Sequence, residues 1–162
     1  MECSEIRALF DYDHWANRET VASLSTVPGG SPSADRPLKI LGHVVGAQRI
    51  WLTRFEDPNP PNAQPWPAVT LDQCRAAVDE LHNRWSALFD ALTPEKLASD
   101  LAYRNTKGVE FRTPIQDVLM HLVMHSAYHR GQVAAAVREA RGQPAATDYV
   151  VYLRRKAEGR KQ

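Results

Sequence analysis

Four long stretches of the chain carry apolar residues at mixed three- and four-residue intervals, and each is closed off by proline or glycine. That period is one face of an α-helix, so the chain is committed to burying helix against helix. The first stretch, Ser4 to Leu24, places Ile6, Leu9, Phe10, Trp15, Val21 and Leu24 on one side and stops before the Pro28–Pro32 run. The second, Pro37 to about Phe55, has Ile40, Val44, Ala47 and Trp51 as its stripe, with His43 and Ile50 beside it. Five prolines (58, 60, 61, 65 and 67) follow, an extended connection long enough for a crossover between parallel neighbours.

Thr70-Leu-Asp-Gln73 reads as a capping box. It opens a third helix through Ala77, Leu81, Trp85 and Leu88 to about Leu92. Thr93-Pro94 predicts a short helical turn near Glu95. Leu101–Tyr103 and Val109–Phe111 flank Asn105–Gly108, the pattern of a small hairpin. Thr113-Pro114-Ile115-Gln116 predicts another N-cap, with proline at the first helical position and glutamine completing a box. The fourth helix then carries Ile115, Val118, Leu119, Leu122, Val123, Val133, Ala136 and Val137 on one face, with Gly142 ending it. A last short segment starts near Thr147-Asp148. The reading is an all-α, single-domain four-helix bundle over residues 1–162, with a small β-hairpin before the fourth helix.

Composition excludes several function classes. Twenty basic residues against 19 acidic ones leave a net charge of +1, which gives no electrostatic case for nucleic acid or membrane as partner. The basic tail, Arg154 to Lys161, reads as a solvated terminus. No apolar run approaches the roughly 20 residues that span a bilayer. The N-terminus carries charges inside its apolar stretch, unlike a signal peptide. Cys3 and Cys74 form no CxxC motif or disulfide framework. A cytoplasmic location is the expectation.

Six histidines occur, and His121, His125 and His129 recur every four residues. Neighbours in such a series are about 5–6 Å apart on one helical face, which lets two imidazoles of one helix grip one cation. His43 lies one turn after Ile40 and also points inward. One histidine from one helix and a pair from another is how bundles build a metal site. Neutral imidazoles suit Zn, Ni, Cu or Fe rather than Mg or Ca. Three protein ligands leave positions open for water or substrate, as in catalytic sites. A core histidine that is merely hydrogen-bonded is the competing reading, and spacing does not choose between His121/His125 and His125/His129. His14 and His82 have no comparable partner and read as surface or core-edge residues.

The chain resembles the DinB/YfiT-like family of metal-binding four-helix bundle proteins. The likeness is carried by Tyr12–Asn17, by Ile40–Val44 with Arg49–Leu52, by His121–Gln132 with its HSAYHRGQ stretch, and by Gly142–Pro144 with Asp148–Leu153. It implies an up-up-down-down bundle whose central metal is held by His43, His125 and His129, with His121 one turn outside. It also implies a divalent transition metal as cofactor, zinc first and nickel or iron next. Relatives include metal-dependent enzymes that use low-molecular-weight thiols, and others noted because DNA damage or stress induces them. The expected function is a metal-dependent thiol S-transferase acting on a small-molecule substrate, with a low-molecular-weight thiol as second cofactor. A non-enzymatic, damage-inducible metal-binding protein and a hydrolase using metal-bound water are the alternatives. No Asp or Glu stands beside the paired histidines as a general base, unlike an HExxH helix. Related bundles pair, so a homodimer is expected. Arg130 is expected to pair with an acid or face an anionic substrate, and Gln132 to orient a ligand. Trp15 and Trp51 read as packing, and Tyr12 and Tyr128 as hydroxyls within reach of the cavity.

Overall fold

The computed structural model describes residues 1–30, 33–57, 64–105 and 107–159. In chain order these form α1 (Cys3–Leu24), α2 (Asp35–Glu56), α3 (Leu71–Asp90), the short α4 (Pro94–Ala98), β1 (Asp100–Arg104), β2 (Glu110–Pro114), α5 (Ile115–Glu139) and α6 (Tyr149–Gly159). The expected helical bundle and hairpin are both present. Pro58, Pro60 and Pro61 of the expected extended connection lie outside the described residues, as do Ser31, Pro32, Thr106, Arg160 and Lys161.

The helix stripes meet in one core. Ile6 and Phe10 of α1, Leu41 and Val44 of α2, Leu81 and Trp85 of α3, and Leu119 and Leu122 of α5 are all buried in it. Phe10 packs against the rings of Trp85 and Phe89 at 5.0 and 4.9 Å.

Cross-helix contacts fix the helix senses. Arg7–Asp90 (2.7 Å) and Arg18–Asp79 (3.8 Å) run α1 against α3. Arg49–Glu80 and Arg84–Glu56, both 2.9 Å, run α2 along α3. Arg36–Glu139 and the Gln48–Ser126 hydrogen bond (3.3 Å) run α2 against α5. The bundle is therefore up, down, down, up, which corrects the up-up-down-down order. The physical reason lies in the connections. α1 and α2 run antiparallel, and the parallel step falls between α2 and α3, where the sequence has its proline-rich stretch.

Two of the three predicted caps form. Gln73 N–H donates to Thr70 Oγ1 (3.2 Å) while Thr70 N–H donates to Gln73 Oε1 (2.9 Å). Thr93 Oγ1 likewise accepts from Lys96 N–H (3.2 Å), with Pro94 at the first helical position. The third does not. Thr113 is taken up by the hairpin, paired with Leu101, and Pro114 itself is the N-cap with φ −51° and ψ 133°. Ile115 N–H instead donates to Ser99 O (2.9 Å).

Asn105 closes the hairpin, its Oδ1 accepting from Lys107 and Val109 N–H (2.9 and 3.0 Å) and Gly108 adopting φ 78°. Buried Arg54 ties the hairpin to α2. Its guanidinium lies between Trp51 (4.4 Å) and Tyr103 (4.9 Å) and donates to Arg104 O (3.1 Å).

Candidate metal centre

The antiparallel packing of α2 on α5 brings His43 opposite His125 and His129. One ligand atom from each ring lies within 4.8 Å of the other two. The ring centroids are 5.0 Å (43–125), 4.6 Å (43–129) and 4.5 Å (125–129) apart, and every pair meets at a steep angle. No pair is stacked face to face, so the rings leave their nitrogens free to converge on one point. This group could hold a metal ion, and no aspartate, glutamate or cysteine joins it among the described residues.

Two of the rings are oriented from behind. His43 Nδ1–H donates to Pro65 O (2.5 Å), and His129 Nδ1–H donates to Gln132 Oε1 (2.8 Å). An imidazole that carries its one proton on Nδ1 has its lone pair on Nε2. Gln132 thus orients His129, one turn past it. His125 differs: its Nδ1 is buried with no hydrogen-bond partner among the described residues.

Burial disfavours the charged form of two of the three rings. It pushes His125 from its ordinary 6.5 down to about 4, helped by His129, His43 and His121. Burial also lowers His43, with His129 adding to it and the Pro65 carbonyl opposing. Three converging imidazoles, one of them with a buried and unpartnered ring nitrogen, fit a metal ion, and nitrogen donors suit Mg or Ca poorly.

The remaining candidates sort clearly. His121 stands one turn before His125, 5.5 Å from it by centroid, and packs edge-on to Trp51 (5.9 Å), outside the group of three. Trp51 packs against Tyr103, and Trp15 against Tyr152 beneath Arg155, so both serve packing. Tyr128 is exposed. Tyr12 is committed elsewhere, donating to Thr147 O (2.8 Å) and accepting from Arg130 Nη2 (3.3 Å). His14 and His82 do have a partner: each other, stacked at 4.0 Å, with His14 Nε2 3.6 Å from Asp79.

Arg130 takes the acid-pairing role. It forms a buried ion pair with Asp13 and donates to Asn17 Oδ1 (3.0 Å). Asp13 Oδ2 also accepts from Asn17 (2.9 Å) and Gln48 (2.7 Å), and Gln48 reaches Ser126. This network fastens α1 and α2 to α5 directly behind the histidine pair. Asp13, Asn17 and Gln48 escaped the sequence reading. The available signal was Asp13 and Asn17 at four-residue spacing on an otherwise apolar face.

Comparison with known proteins agrees in extent. A model described as the DinB family matches residues 7–161. Protein DinB of Bacillus subtilis (strain 168) is 26% identical over 160 residues, covering 90% of this chain and 91% of that protein.

Proposed function

The chain belongs to the DinB family, and from that premise we propose that it is a metal-dependent enzyme of the thiol S-transferase type. The observation that carries the reading is the convergence of three histidines, with no carboxylate or cysteine among the described residues, at one point between α2 and α5. A bound divalent ion, zinc first with nickel or iron next, would act there as a Lewis acid that lowers the pKa of a coordinated thiol.

The chain's own groups supply the rest. His43 and His129, their Nδ1 protons held by Pro65 and Gln132, present Nε2 lone pairs, and His125 contributes the third imidazole. None of these ligands brings a negative charge, so the full charge of the ion is left for an anionic group such as a thiolate. The protein's own thiols are poor sources. Cys74 is buried and pushed up to about 11 by that burial, and neither cysteine joins the group. An external low-molecular-weight thiol (glutathione, bacillithiol or mycothiol) is therefore the natural nucleophile, delivered to a small electrophile. Free Cys3 and Cys74 fit a reducing, cytoplasmic setting.

The test is metal analysis of tag-free protein, followed by a screen of thiols against epoxides and monochlorobimane. Stoichiometric metal and thiol turnover that disappears in metal-free protein are expected, with His43→Ala and His129→Ala losing both. Thiol turnover that persists without metal overturns the mechanism. Metal without turnover for any pair would leave a binding protein in its place.

A further inference from the structure

Helix α2 carries glycines at 42 and 46, one turn apart and on either side of His43. Glycine in a helix interior is unfavourable relative to alanine, so two of them call for a steric cause. The surroundings provide one. A Cβ at Gly46 would stand 2.7 Å from Pro67 Cδ, 2.9 Å from Gln64 O and 3.0 Å from Pro65 O. At Gly42 it would stand 3.0 Å from Val69 Cγ2 and 3.2 Å from Pro67 O. Gly131 of α5, by contrast, has nothing within 4 Å. The segment from Gln64 to Val69 thus lies directly on the backbone of α2, at the one strip where side chains are missing.

That seating has two effects on His43. It places the Pro65 carbonyl on Nδ1–H at 2.5 Å. It also lays the Trp66 indole flat on the imidazole, with centroids 3.9 Å apart and planes 11° from parallel. One contact selects the tautomer, the other fixes the plane of the ring. Pro65 and Pro67 each have a fixed φ, so the segment is stiff where it bears on α2.

We infer that Gln64–Val69 is a clamp, seated by Gly42 and Gly46, that holds His43 as the Nδ1–H tautomer in the orientation a metal requires. Pro65 and Trp66 are positioning residues in this arrangement. The inference rests on the metal reading of His43, His125 and His129 given above. An outer hydrogen bond to a ligating histidine both orients it and raises its basicity, and losing one costs about 10–100-fold in metal affinity.

The test uses the full chain and zinc(II) alone, with affinity measured by chelator competition. Gly46→Ala is expected to weaken zinc by about 10–100-fold, Gly42→Ala by less, and Gly131→Ala not at all. Alanine favours the helix itself, so circular dichroism and melting of the metal-free variants separate a displaced clamp from lost folding. Long-range ¹H–¹⁵N spectra of the metal-free wild type provide a readout that needs no variant, and should show His43 protonated at Nδ1. Protonation at Nε2 instead would overturn the clamp, as would a folded Gly46→Ala variant that binds zinc as tightly as wild type. Wild-type protein that binds no zinc would overturn the metal reading itself, a separate and distinguishable failure.

Discussion

His125 holds the least comfortable position of the three histidines, with one ring nitrogen buried and unpartnered and a pKa of about 4. In the unfolded chain the same ring titrates at its ordinary 6.5, so between those values the unfolded state binds more protons than the native one. The contribution of His125 to the stability of metal-free protein should be complete above pH 6.5, be lost as the pH drops towards about 4, and change no further below it. Urea titrations across that range test this, and His125→Asn should remove much of the slope. A wild-type slope no steeper than the variant's would show that His125 is not the cause. At this scale the sequence was partly legible. Four-residue spacing exposed the histidines, but it is identical for both candidate pairs, so the resemblance rather than periodicity separated His121 from His129. The acid that pairs with Arg130 was not legible, because Asp13 lies 117 residues away and only folding joins them. The glycines beside His43 were visible as letters, but the segment that needs them lies in the connection after α2, and only folding lays it back on the helix.

Among the elements, local chemistry was readable wherever nothing distant competed for the same residue. Thr70 and Thr93 cap as predicted, but Thr113 is claimed by the β1–β2 ladder, and no local pattern reveals that competition. The end of α5 is similar. The helix stops at Glu139, Arg141 takes the left-handed position at φ 64°, and Gly142 N–H donates to Val137 O (2.8 Å). Glycine is needed at 142 for space rather than for φ. A Cβ there would stand 2.9 Å from Val137 Cγ1, 2.9 Å from Val27 Cγ2 and 3.0 Å from Thr26 Oγ1. Gly142→Ala should therefore destabilise by about 1–3 kcal/mol through overpacking between the ends of α1 and α5. Chemical denaturation measures it, and a stabilised variant would contradict the steric account. Helix order was also beyond a local reading, since apolar periodicity is the same whichever way a helix runs.

For the whole molecule, the three histidines join two neighbouring antiparallel helices, so an ion bound there cross-links α2 and α5 in the native state only. Metal at 100 times its Kd should add about 2.7 kcal/mol. For a chain of this size that is a rise of about 5–10 °C in Tm. Scanning calorimetry with zinc and with a chelator measures the difference, which should vanish in His43→Ala. An equal shift in that variant would place the effect elsewhere on the protein. The connection between α2 and α3 adds a constraint of another kind. Its last residues, Gln64–Val69, press on His43, and the same connection lets the chain step between two parallel helices. Topology and coordination are therefore inherited together. Transplanting α2 and α5 alone into another scaffold would carry the three imidazoles but leave behind what aims the first of them, and a redesign that shortened the crossover would change the site without touching a single histidine.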